Sequence, residues 1–174
     1  RLDMITLGAV NISEKTKVLM QEALAKGIVG QVGYIKEFEE KLAEFLGTKH
    51  VIATANGTLA DAVALAVVKY KDGGKRNEVI VPALTFIAQV NAVYYNHLKP
   101  VFVDVGYDYQ IDSEKIEEKI TPNTLAIMPA DLLGRPAKMD KISDLAKKHN
   151  LYVVEDACEA LGSRYQNQLC GTIG

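Results

Sequence analysis

Tryptophan is absent from this 174-residue sequence, and cysteine (two), histidine (three) and proline (five) are scarce. Two cysteines, Cys158 and Cys170, build neither a disulfide framework nor a thiolate metal site. That usage points to a reducing, cytoplasmic setting. His50, His97 and His149 are scattered, with no metal-ligand spacing, so no metal is expected. No apolar run approaches bilayer length, and the opening RLDMITLGAV lacks the shape of a signal peptide. Neither sign of charge dominates: 20 basic residues stand against 22 acidic ones, for a net charge of −2. A nucleic-acid footprint and a polybasic membrane patch are therefore both excluded. No GxxxxGK[ST] occurs, no GxGxxG follows an apolar run, and GxSxG is missing. Those absences remove the nucleotide P-loop, the dinucleotide fingerprint and the nucleophile elbow.

What is present is apolar mass with a rhythm. The chain is 48% hydrophobic, enough for one sizeable core. Five β-rich runs recur: HVIATA (50–55), EVIVPA (78–83), PVFVDV (100–105), LAIMPA (125–130) and YVVEDA (152–157). Each is apolar on successive residues, which predicts strands covered on both faces. Helical patterns lie between them. Leu59, Val63, Val67 and Tyr70 mark one face of the first; Ile87, Val90 and Tyr94 mark the second. Met139, Ile142, Leu145 and Ala146 mark a later one, which ends at KKHN. A repeated βα unit predicts a three-layer α/β/α domain with a mostly parallel sheet. Two helices precede it. Ser13 caps residues 14–26, with Gly27 as the stop. Ile35, Phe38, Leu42, Phe45 and Leu46 form a stripe closed by Gly47 and read as packing on the sheet. The division drawn is an N-terminal helical segment, 1–33, ahead of a domain covering 34–174.

Ligands of open parallel sheets bind beyond the carboxyl ends of the strands. The residues to read are those just after each run. Asn56-Gly57-Thr58 opens a helix after the first. Glycine permits close backbone approach, threonine adds a hydroxyl, and the helix start adds free amides, a set that suits a phosphate. A plain turn accounts for the same three residues. Phe86, after the second run, could cover a flat ring or simply pack in the core. Asp104 reads as a cap. Asp131 and Gly134 follow the fourth run. Asp156 ends the fifth, where a desolvated carboxylate asks for a cationic or strongly donating partner. A protonated pyridine nitrogen would serve, and so would a helix start needing a cap. Cys158 reads as a small packed thiol.

Five stretches taken in order carry a resemblance: YIKEFEEKLAEFLGTKHVIATANGTLA, NEVIVPALTFIAQVNAV, PVFVDV, ITPNTLAIMPADLLGRPAKMDKI and VVEDACEALGSRYQNQLCGTIG. Together they resemble the DegT/DnrJ/EryC1/StrS sugar aminotransferases, fold-type I enzymes that use pyridoxal phosphate. The resemblance implies the large cofactor-binding domain of such an enzyme, present here in part. It implies that Gly57 and Thr58 hold the phosphate, Phe86 stacks on the ring, Asp156 pairs with the ring nitrogen and Glu159 approaches the phenolic oxygen. Glu159 stands where glutamine or histidine is usual, and Asp131 replaces a common histidine. The lysine that carries the cofactor is expected beyond Gly174, so no catalytic residue is assigned within the chain. The implied reaction moves an amino group, from glutamate, to a nucleotide-linked keto-sugar in a homodimer, with pyridoxal or pyridoxamine phosphate as cofactor. DACEALGS also resembles the sugar 3-dehydratase branch, which uses the same cofactor. A non-catalytic cofactor-binding relative is a further alternative.

Overall fold

The computed structural model describes residues 11–27 and 33–174. Of the residues read as linking the two N-terminal helices, Gly30, Gln31, Val32 and Gly33, the first three fall outside the described residues. Four strands form a parallel sheet in the order β2-β1-β3-β4: β1 Glu78–Pro82, β2 Lys99–Val103, β3 Thr124–Ile127 and β4 Tyr152–Val153. Parallel neighbours need crossovers, and the helices supply them. Helices α3 (Gly57–Asp72) and α4 (Ile87–Tyr95) cover one face of the sheet, and α5 (Met139–His149) covers the other.

Alternation along β1 divides the core in two. Val79 and Val81 join Leu65, Ala92, Val93, Leu125 and Met128 beneath α3 and α4. Ile80 points the other way and meets Val103, Ile127, Met139, Ile142 and Ala146 beneath α5. The three-layer α/β/α expectation therefore holds, and so do the helix boundaries. Ser13 accepts from Thr16 N and caps α1 (Glu14–Ala25). Gly47 ends α2 (Tyr34–Leu46) in the left-handed conformation that glycine adopts without Cβ strain. Asn150 ends α5 in the same way.

Four expectations need correction. Residues 50–55 form no strand: Ala53 N–H, which a ladder would use, goes to Glu39 Oε1 on α2 (2.8 Å), and Ile52 is 78% exposed. Only β1 and β3 are buried throughout, because β2 and β4 are the sheet edges among the described residues. The α2 stripe does not pack on the sheet; Phe38 and Phe45 are exposed, and α2 buries no side chain. The marked faces of α3 and α4 also point outward. Leu59, Val63, Val67, Tyr70, Ile87 and Tyr94 are exposed and Val90 is half-buried, while Ala62, Leu65, Val68, Ala92 and Val93 face the sheet. Both helices are apolar on more than one side, so periodicity leaves the inner face undecided. Packing selects the face rich in alanine and valine, which lets the two helices approach each other and the sheet closely. α5 carries its charges on one side only, and its marked residues are the ones that face the core.

Candidate cofactor pocket

A cavity of about 360 Å³ opens at the carboxyl end of the sheet. Its walls include Asn56, Gly57 and Thr58 from the start of α3, Thr85 and Phe86 from the turn after β1, Asp131 after β3, and Asp156, Cys158 and Glu159 after β4. All five residues singled out from the sequence for cofactor contact, Gly57, Thr58, Phe86, Asp156 and Glu159, therefore line one cavity.

Each is placed by its element. Asn56 caps α3: its Oδ1 accepts from Leu59 N (3.0 Å), and its carbonyl accepts from Ala60 N (3.2 Å). The N–H groups of Gly57 and Thr58 have no intramolecular acceptor among the described residues, as the first turn of a helix requires. A Cβ on Gly57 would stand 3.0 Å from Cys158 Sγ, a tight contact that the Cys158 side chain would have to relieve by moving. Phe86 precedes α4 and is 67% exposed, leaving its ring open to the cavity; it is not a core residue. Asp156 is fixed through its backbone. Its N–H donates to Pro129 O (3.0 Å), and its carbonyl accepts from Asp131 N (2.9 Å). Its Oδ1 accepts from Cys158 N (3.1 Å) across a turn; no helix follows among residues 157–174, so the helix cap expected from the sequence is not formed, and the turn uses one oxygen. Glu159 Oε2 accepts from Leu133 N (2.6 Å), which holds a left-handed turn at Leu133 and Gly134 against the rim.

The cavity wall is acidic, and no Lys or Arg is among the residues lining it. Cys158 is held protonated. Burial, then Asp156 and Asp61, push its thiol up to about 12, which leaves it inert as a nucleophile. Cys158 is nonetheless exposed at one side, so "packed" describes only its contact with Gly57.

Two features escaped the sequence reading. Asp61, on the inner face of α3, lines the cavity at 7% exposure, and its Oδ2 has no partner. The available signal was an acid four residues after Gly57 in an otherwise apolar helix. The second feature is a buried cluster behind the wall. Side-chain atoms of Asp131, Glu155 and Cys170 lie within 4.8 Å of one another, brought together from separate loops that no linear spacing reveals. Asp131 is 1% exposed. Its Oδ1 accepts from Ala137 N (2.9 Å), while its Oδ2 and Glu155 Oε1 are unpartnered. Burial pushes Asp131 up to about 6; the Ala137 N–H pulls it partway back, and the Glu155 charge adds to the rise.

That shift has a sign for stability. A carboxyl whose folded pKa exceeds its unfolded value holds a proton that the unfolded chain has released. Stability falls as pH rises from about 4 to about 6 and stays lower above that. Asp131→Asn can keep the bond from Ala137 and offers an amide to Glu155. It is expected to melt higher than the parent above pH 6, with the difference vanishing below pH 4. Thermal melts across that range measure it, and a constant difference at all pH values would contradict it.

The sequence profile of the DegT/DnrJ/EryC1/StrS aminotransferase family matches residues 10–174. The chain belongs to this family. GDP-perosamine synthase of Caulobacter vibrioides is 39% identical over 99% of this chain and 46% of its own length. The structure of an aminotransferase from Psychrobacter cryohalolentis superposes with a TM-score of 0.88 at 37% identity, covering 94% of this chain and 42% of that one. The GDP-4-keto-6-deoxy-D-mannose-3-dehydratase of Escherichia coli with bound hydrated PLP gives 0.88 at 26% identity, covering 95% and 44%. The chain spans less than half the length of these relatives. No described helix is long and apolar enough to cross a membrane.

Proposed function

We propose that this chain is the cofactor-binding part of a pyridoxal phosphate-dependent aminotransferase. The enzyme passes an amino group from glutamate to a nucleotide-linked keto-sugar, for cell-surface polysaccharide or secondary-metabolite synthesis. The observation that carries the reading is the meeting of an open helix start, an exposed aromatic ring and a fixed carboxylate on one cavity. The residues fit the group. Gly57, where a Cβ would crowd Cys158 Sγ, and the free amides of Gly57 and Thr58 form a cradle for a phosphate. Phe86 offers a face for a planar ring. Asp156 offers a carboxylate to a ring nitrogen, and Glu159 lines the same cavity.

When bound, the cofactor supplies an electron sink for the carbon that gains or loses nitrogen. The chain's own residues hold and bias it: Asp156 keeps the ring nitrogen protonated, and Phe86 fixes the ring plane. The lysine that carries the cofactor is assigned to sequence beyond Gly174. Residues 34–174 belong to the large domain, with 1–33 as an N-terminal helical segment. The enzyme is placed in the cytoplasm as a homodimer, which gives a use to the exposed apolar face of Leu59, Val63, Val67 and Tyr70. The acid at Glu159 and the neighbouring Cys158 favour a second reading, a sugar 3-dehydratase with the same cofactor.

The test uses the full-length protein. With pyridoxal phosphate it should develop a visible absorbance band. With glutamate and a nucleotide-linked keto-sugar it should release 2-oxoglutarate and an amino sugar. No band removes both readings; loss of a sugar hydroxyl in place of amination selects the second. Phe86→Ala should weaken pyridoxal phosphate binding roughly fivefold, in line with about 1 kcal/mol for a ring-on-ring contact. Its exposure predicts little change in melting temperature. Unchanged affinity in an absorbance titration would remove Phe86 from the site.

A further inference from the structure

We propose that Asp61 is a positioning residue for Asp156, a carboxyl that must keep its proton for a phosphorylated pyridine cofactor to bind. The inference rests on the cofactor reading above and concerns a residue that reading does not use. Asp61 lies four residues after Gly57, which places it one turn below the phosphate cradle on the same side of α3. It is almost wholly buried, one of its oxygens has no partner, and it shares the cavity with Asp156. A buried carboxyl without a donor is costly when ionised and cheap when neutral.

Its surroundings supply no cation. The other titratable groups on the cavity are Asp131, Asp156, Cys158 and Glu159. From α4, which packs on α3, comes the sequence IAQVNAVYY, without a charge; its Gln89 is engaged by Thr85 and Pro129 O, and its tyrosines are exposed. β3 contributes TLAI, also without a titratable group. Burial, followed by the charge of Asp156, pushes Asp61 up to about 7. Asp156 has one oxygen committed to Cys158 N, and no described residue donates to the other. A neutral Asp61 brings a proton to the cavity it shares with Asp156. An ionised Asp61 would place a further anion beneath a bound phosphate and beside the acid meant for the ring nitrogen. Binding and the Asp61 proton are thereby linked.

The experiment titrates the full-length protein with pyridoxamine 5′-phosphate, which cannot condense with a lysine, between pH 6 and 9. If only the protonated form binds, the Kd of the parent rises about tenfold per pH unit above the Asp61 pKa. Asp61→Asn, neutral throughout, should lose that slope. Asp61→Leu, neutral and suited to a buried site, should lose it too, so the result does not depend on one variant folding. Ring and phosphate titrations of the ligand are common to all three proteins and cancel in the comparison. In the infrared difference spectrum of parent minus Asp61→Asn at pH 6, a protonated-carboxyl stretch should appear, the contribution of Asp131 being common to both and cancelling. Binding with the same pH slope in parent and variants overturns this inference and leaves the cofactor reading standing. No binding at any pH in any of the proteins overturns both.

Discussion

Asp156→Asn in the full-length protein is expected to lower kcat on the order of 10²- to 10³-fold while leaving the fold intact and the cofactor bound. The backbone bonds that fix residue 156, to Pro129 O and from Asp131 N, do not involve its side chain. Asparagine can still accept from Cys158 N through its side-chain oxygen, so the local turn survives. What it loses is the charge. A carboxylate beside a pyridine nitrogen favours the protonated ring, and only the protonated ring draws electrons strongly from the reacting carbon. The amide leaves the nitrogen neutral and removes that pull. The effect should therefore fall on kcat rather than on cofactor occupancy. Absorbance titration and steady-state rates, measured on the same preparation, separate the two. Undiminished turnover would mean that Asp156 does not face the ring nitrogen.

The same residue shows what a sequence can and cannot display. Asp156 was legible because a carboxylate at the end of a strand is conspicuous, and because Phe86 also follows a strand while Gly57 and Thr58 open a helix that packs on the same sheet. In a parallel sheet those ends share one edge. Asp61 was not legible, since its importance depends on which side of α3 faces inward. The apolar pattern GTLADAVALAVV serves both sides, and the choice was made by packing against α4 and the sheet. α5 posed no such problem, because its lysines leave one apolar side. The segment 50–55 misled for a related reason. Composition makes it a good strand, but a strand needs a neighbour, and Ala53 is bonded to Glu39 on α2 instead. Asp131, Glu155 and Cys170 meet only because three loops converge behind the cavity wall. Local sequence reports the identity of a residue and the period of its element; it does not report the company the residue keeps across the fold.

Ile127→Ala is expected to cost about 2–5 kcal/mol of stability, the largest effect among substitutions away from the cavity. Ile127 is fully buried in β3, a central strand, and joins Ile80, Met139 and Ile142 beneath α5. Truncation removes three carbons from a place where the sheet on one side and α5 on the other leave little freedom to collapse. The consequence should reach the cavity. Ile127 pairs with Val153, and its carbonyl accepts from Val154 N (3.0 Å). Two residues on, Pro129 O receives the Asp156 N–H, and Asp131 N returns a bond to Asp156 O. The strand that loses packing is thus the one that holds the proposed ring-nitrogen acid in register. Urea unfolding should show a lower midpoint, and Ile127→Val should fall between parent and Ile127→Ala at about 0.5–1.5 kcal/mol. Saturating pyridoxal phosphate should recover part of the loss, because a ligand that binds only the folded state adds stability by mass action. A cost below 1 kcal/mol for Ile127→Ala would show that α5 can close the gap. A normal cost that saturating cofactor leaves untouched would show that the folded protein does not bind the cofactor.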